Sequence, residues 1–261
     1  HSRYRGSARG ANWMGVCVTW RVVSASEIGT SHIAAGTTCA DSCWADVEVT
    51  ADGQPFLSMF VSDGAGSASR GGEGAELAIH AAADFIANKL THREFGLSDD
   101  LAVECVVAIR ECIYSRAETE GLKARDFACT FLGVLSSALG TLVMQVGDGG
   151  IVLDVGSGLE TAIVPMSGEY ANMTHFVTDE EAVAILATKA YSAPATRVAV
   201  FSDGLQRLVL DMVTNKPHEP FFAKFFQVLA SATVNKEDEL HCALVRFLGS
   251  PSVNERTDDD K

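Results

Sequence analysis

An apolar pair, Phe60-Val61, leads into Ser62-Asp63-Gly64-Ala65-Gly66, so a carboxylate and two glycines follow directly on a segment with the composition of a buried strand. A strand ending here delivers the aspartate to a sheet edge, and the glycines let the backbone turn and leave a carbonyl open to a ligand. The pattern returns at Val198-Ala199-Val200-Phe201-Ser202-Asp203-Gly204 and, in reduced form, at Val143-Met144-Gln145-Val146-Gly147-Asp148-Gly149. A further apolar run, Ala243-Leu244-Val245-Arg246-Phe247, is preceded by Asp238-Glu239 and reads as a fourth strand with acids beside it. One such corner is ordinary hairpin punctuation. Four that meet in space are not, because two carboxylates about 4 Å apart repel by about 4 kcal/mol at an effective dielectric of 20. A cation would then have to lie among them, and oxygen ligands without His or Cys suit magnesium or manganese better than zinc.

The elements that must position these corners follow from periodicity. Val16, Val18, Trp20 and Val22 alternate as a first strand, residues 44–49 as a second and residues 56–62 as a third, with Gly53-Gln54-Pro55 turning between the last two. Ala78, Ala82, Phe85 and Ile86 recur at helical spacing in a helix opened by Glu73, and His80 on it has a structural reading. Ser98 caps a second helix, with Asp99 and Asp100 in its positive first turn. Strands are expected at residues 129–135, 139–146 and 151–155. Thr178-Asp179-Glu180-Glu181 has the form of a capping box, so a short helix is expected from there to about Thr188. Helices follow at 205–212 and 220–232, then the final strand at 243–247. Residues 1–13 read as a vector-derived or disordered tail, 14–249 as one domain, and 250–261 as a polar C-terminal tail.

With 261 residues and 47% hydrophobic content the chain is long enough for one substantial core. A net charge of -14 argues against general affinity for nucleic acid or an anionic membrane, both of which need a basic face. Seven scattered cysteines with no Cys-x-x-Cys pair suit a reducing cytoplasm better than a disulfide framework. No apolar run approaches the roughly 20 residues of a membrane span.

Taken together, Asp63-Gly64-Ala65-Gly66, Gly147-Asp148-Gly149, Asp203-Gly204-Leu205 and Asp238-Glu239, in that order, resemble the motifs of the metal-dependent, type 2C serine/threonine protein phosphatases. The stretches Gly29-Thr30-Ser31-His32 and Cys39-Ala40-Asp41 resemble more narrowly the bacterial protein phosphatase C-like branch. The resemblance implies an α+β fold, a four-layer αββα sandwich of two antiparallel sheets flanked by helices. It implies two Mn2+ or Mg2+ ions, with a third held more weakly, that activate water for attack on phosphoserine or phosphothreonine in proteins. By the same match Asp63 bridges the ions, the Gly64 carbonyl completes the second site, and Asp203 and Asp238 bind the first ion. Asp148 holds the additional ion, and Asp41 orients the water, or is simply a loop-capping residue. Phosphorylated proteins are the implied partners, with a cognate serine/threonine kinase alongside.

Two positions depart from the family pattern. Gly36 stands where members usually carry a phosphate-gripping Arg, and Ala65 stands where eukaryotic members carry a His that protonates the leaving group. Arg70 or His32 would fill the first gap, since either can donate to a phosphate oxygen, and His32 or water the second. Arg70 as a solvated loop charge and His32 as a loop hydrogen-bonding residue stand as equal alternatives. Two other functions are also open: a phosphatase fold that binds a partner without catalysis, and a hydrolase of a small phosphate ester.

Overall fold

Alternating residues on either side of the Gly53 turn form a long hairpin whose register decides the rest of the site. The computed structural model describes residues 20–92, 96–164, 174–233 and 236–261. In chain order its elements are α1 (Thr30–Ala35), β1 (Asp41–Val49), β2 (Pro55–Asp63), α2 (Gly71–Leu90) and α3 (Asp99–Glu120). After a 3-10 turn (Ala124–Phe127) come β3 (Phe131–Ser137), β4 (Gly140–Val146), β5 (Gly150–Asp154), β6 (Glu160–Thr161), β7 (Ala187–Tyr191) and β8 (Arg197–Phe201). The rest is α4 (Asp203–Val209), β9 (Leu210–Asp211), β10 (Lys216–Pro217), α5 (Glu219–Ser231), α6 (Glu237–Leu248) and α7 (Pro251–Asn254).

One antiparallel sheet has the order β1-β2-β3-β4-β7 and the other the order β6-β5-β8; β9 and β10 pair separately. Leu132, Val134 and Val143 of the first sheet bury against Ile151 and Leu153 of the second, with Val198 and Val200 beside them. The outer face of the first sheet is covered by α2 and α3. Their buried stripes, Ala75, Ala78, Ile79, Ala82 and Ile86 on α2 and Leu101, Cys105, Val106, Ile109 and Ile113 on α3, close over Phe56, Phe60, Phe131 and Leu135. Small residues on α2 permit this close approach. On the far side Phe222 of α5 and Val209 of α4 pack on Val152 and Phe201. The order helix, sheet, sheet, helix is therefore the expected four-layer α+β sandwich. Ser98 caps α3 as expected, its hydroxyl accepting from Leu101 N at 3.4 Å.

Four expectations need correction or fall elsewhere. Residues 243–247 lie in α6, not in a strand: Leu240, Leu244 and Leu248 recur at helical spacing, and Glu237, Asp238 and Glu239 suit the first turn of a helix. The capping box at Thr178 opens no helix. Arg110 Nη1 donates to the carbonyls of Val177 and Asp179, and Tyr114 Oη to that of Thr178, so α3 takes acceptors that a helix would have used. The chain turns there and runs into β7, which the sequence reading had missed. The first strand lies largely outside the described residues, and Trp20, Arg21 and Val22 are in no strand. Residues 1–13 also lie outside them.

The C-terminal segment is no appendage. Glu27 and Lys261 exchange backbone hydrogen bonds at 2.7 and 3.0 Å, Ser31 N donates to Asp258 O at 2.9 Å, and Asp260 and Lys261 are buried. No helix among the described residues is long and apolar enough to cross a membrane.

Candidate metal centre

The β1–β2 register pairs Asp41 directly with Asp63. Like charges directly opposite one another destabilise a sheet, so the fold spends stability at this point. Thr130, just before β3, fixes the Asp63 backbone: its N–H donates to Asp63 O at 2.8 Å and its hydroxyl accepts from Asp63 N at 3.0 Å. Ser202, which follows β8 and precedes α4, donates its hydroxyl to Asp41 Oδ2 at 2.5 Å. Across the second sheet Gly150 pairs with Phe201, which sets Asp148, two residues before the one, beside Asp203, two residues after the other. The two sheets thus bring four aspartates to one end of the sandwich.

Their electrostatics show how crowded that end is. Burial first, and then the charges of Asp41, Asp203, Asp259 and Asp148, push the Asp63 carboxyl up to about 9. Burial likewise raises Asp203 to about 6, with Asp148 and Asp259 adding to it, and raises Asp41 to about 7 against the opposing hydrogen bond from Ser202. Asp63 stands within hydrogen-bonding reach of both Asp41 and Asp203. Among the described residues no three His, Cys, Asp or Glu side chains already close on one point as a finished ligand cage. The group is instead a set of mutually repelling oxygen donors, which a divalent cation would draw together and neutralise.

Asp238 is not in this group. It lies exposed in the first turn of α6, where a carboxylate is already favoured by the helix N-terminus. The additional acid is Asp259, which acts on both Asp63 and Asp203. It arrives on the C-terminal segment, which passes so close to the start of α4 that a Cβ built on Gly204 would lie 2.0 Å from Asp260 O. Gly204→Ala is accordingly expected to push this segment off. A loss of about 1 to 3 kcal/mol in thermal denaturation, with weakened metal binding, is the scale for such overpacking. Asp259 and Ser202 were both missed by sequence reasoning. The signal for Asp259 was there, in three successive aspartates taken for a charged tail.

Beyond the turn at residues 64–66 opens a cleft of about 960 Å³, lined by His32, residues 36–40, Arg70, Glu73, Glu76, His80 and Arg116 among others. Arg70 reaches this cleft but is engaged: Nε is 3.0 Å from Glu73 Oε2, and Nη2 pairs with Glu120. Arg116 shares Glu73 at 2.6 Å. Gly36 contributes no charge, and its φ of 69° is the left-handed conformation that ends α1. His80 stands 3.9 Å from Glu76 and edge-on to Trp44, in keeping with a structural role. His32 Nδ1 lies 2.7 Å from Asp260 Oδ2.

Comparison with known proteins decides the family. The protein phosphatase 2C family model matches residues 28–249. The chain belongs to the protein phosphatase 2C family. It is 53% identical over 244 residues to serine/threonine-protein phosphatase 3 of Escherichia coli (strain K12), covering 94% of this chain and 96% of that one. Among solved structures, the S. agalactiae serine/threonine phosphatase superposes with a TM-score of 0.52 at 15% identity, over 85% of this chain and 90% of that one. The catalytic domain of the serine/threonine protein phosphatase PstP, in complex with two manganese ions, gives 0.51 at 16% identity, over 85% and 88%. These distant likenesses show the phosphatase 2C sandwich. The family match contains Asp41, Asp63, Asp148 and Asp203 and ends before Asp259.

Proposed function

We infer that this chain is a manganese- or magnesium-dependent phosphatase that removes phosphoryl groups from serine and threonine residues of proteins. The observation that carries the reading is Asp63, surrounded by Asp41, Asp148, Asp203 and Asp259 and followed by the turn, residues 64–66, that lines a cleft. Asp63, the Gly64 carbonyl, Asp203 and Asp259 are the groups that would hold two ions, with Asp148 the ligand for a third. When bound, such ions supply a nucleophilic water at neutral pH and neutralise charge on the phosphoryl oxygens. Asp41, steadied by Ser202, accepts a hydrogen bond from the attacking water and orients it. Arg70 reaches a substrate phosphate by exchanging Glu73 or Glu120 for it, which puts the guanidinium at the cleft without a standing charge excess. Open clefts of this size admit a peptide chain as well as a small ester. The six cysteines among the described residues are all free, which supports a reducing cytoplasm, where a cognate serine/threonine kinase would supply the substrates. The domain limits proposed are 14–249 extended through residue 261, because the C-terminal segment carries Asp259.

Hydrolysis of a phosphothreonine peptide across a manganese titration tests this. Turnover that rises with bound metal is expected. Metal binding without turnover of any phosphate ester would make the chain a binding module, and turnover of small esters alone would remove proteins as its substrates.

A further inference from the structure

We propose that His32 and Asp260 form a dyad that protonates the departing serine or threonine oxygen, an inference that rests on the phosphatase reading above. An alkoxide is a poor leaving group because its alcohol holds a proton about as tightly as water does. Ala65, in the turn after Asp63, has no proton to give.

Asp260 is built to hold a histidine. Its side chain is 2% exposed. Oδ1 accepts from Gly29 N at 2.6 Å, and Oδ2 accepts from Ala40 N at 2.6 Å and from His32 Nδ1 at 2.7 Å. Both oxygens are thus taken by N–H donors, so Asp260 is a positioning residue and no ligand. A hydrogen bond from Nδ1 settles the ring's tautomer and leaves Nε2 as the nitrogen that exchanges protons. The ring is 26% exposed and lines the cleft that begins at the metal-binding turn.

The dyad is tied to the metal centre on two sides. Asp259, the residue before Asp260, acts on Asp63 and Asp203, and Ala40, whose N–H Asp260 accepts, precedes Asp41. The other groups facing the cleft are engaged elsewhere. Cys39 lies beside Asp260, Arg70 and Arg116 pair with Glu73 and Glu120, and His80 sits by Glu76.

The step balances. The dyad starts with both ring nitrogens protonated. The water oxygen bonds to phosphorus, the bond from phosphorus to the serine or threonine oxygen breaks with its electron pair on that oxygen, and the Nε2 proton passes to it. His32 is left neutral with Nδ1–H still on Asp260, and the proton released by the attacking water goes to solvent, from which the ring is recharged.

The test compares leaving groups on the manganese-loaded enzyme. In His32→Asn the amide nitrogen stands where Nδ1 stood, so Asp260 keeps a donor while Nε2 is lost. Removal of a general acid costs about 100-fold or more on a phosphothreonine peptide, and the loss should shrink to a few-fold on p-nitrophenyl phosphate, whose phenolate leaves unaided. Asp260→Asn should give a smaller loss with the same leaving-group dependence. In the metal-free protein it should shift the His32 ring signals in a ¹⁵N–¹H spectrum, with thermal denaturation separating this from unfolding. Equal losses on both substrates, or none on the peptide, overturn the dyad. A wild-type enzyme that hydrolyses neither ester overturns the phosphatase reading instead, and Asp63→Asn, which should silence both esters alike, shows that the two failures differ.

Discussion

Asp63→Asn is expected to abolish manganese-dependent turnover and, at the same time, to raise the melting temperature of the metal-free protein at pH 8. Both effects come from the carboxylate crowding around Asp63. Its carboxyl is pushed up from 3.8 to about 9, with burial the largest cause and the four neighbouring aspartates adding to it. Between those two values the folded protein holds a proton that the unfolded chain has released. Stability therefore falls as pH rises through this window, by about 1.4 kcal/mol per pH unit for each proton held. In a domain of this size that is about 4 °C per unit. Asparagine carries no charge, and its amide can donate to Asp41 and Asp203, so the slope should flatten and the melting temperature at pH 8 should exceed that of the parent. Manganese should stabilise the parent strongly and the variant little, because the central donor is gone. Turnover should fall at least about 10³-fold, equivalent to about 4 kcal/mol of transition-state stabilisation. A variant that stays as steeply pH-dependent as the parent, or that remains active with manganese, would remove Asp63 from the centre of the site.

How much of this was legible beforehand depends on which interaction places each residue. The hairpin holding Asp41 and Asp63 is written locally, in strand alternation and the Gly53 turn, but the alternation reads as a strand only from residue 44, which puts Asp41 in the loop before a strand that in fact begins with it. Register is another matter, since pairing Asp41 with Asp63 follows from the closed hairpin and from Thr130, just before β3 and 67 residues away. Asp148 and Asp203 were legible because Gly follows each of them at a strand end, and glycine is needed there: Gly149 has φ 105°, and a side chain on Gly204 would strike Asp260. Helix α6 was misread because five apolar-rich residues fit a strand as well as a buried helix segment, and only the wider window with Leu240 and Leu248 separates the two. The capping box failed for a tertiary reason, since Arg110 and Tyr114 of α3 take the carbonyls it needed. Asp258, Asp259 and Asp260 stand in the sequence as three successive acids, but nothing local says where they dock. Their roles come from docking beside Gly29, Ala40 and Gly204, contacts that span more than 50 and up to 231 residues.

That docking leads to the second large effect, a contrast between two acids near the C-terminus. Asp259→Asn is expected to reduce manganese-dependent turnover by about 100-fold or more and to weaken manganese binding, while Asp238→Asn leaves both within about 2-fold of the parent. Asp259 contributes to the crowding at both Asp63 and Asp203, so removing its charge would take one oxygen donor from the group proposed to hold the metal. Asp238 faces solvent at the start of α6, where its loss costs at most the favourable interaction with the helix N-terminus, about 0.3 to 1 kcal/mol. A change of that size moves the melting temperature by a few degrees and leaves the metal titration alone. Isothermal titration with manganese, run beside peptide hydrolysis, separates the two. If Asp238→Asn were the inactive variant and Asp259→Asn the silent one, α6 would have to unwind to bring its first turn to the metal centre, and the placement of the C-terminal segment beside Gly204 would be wrong.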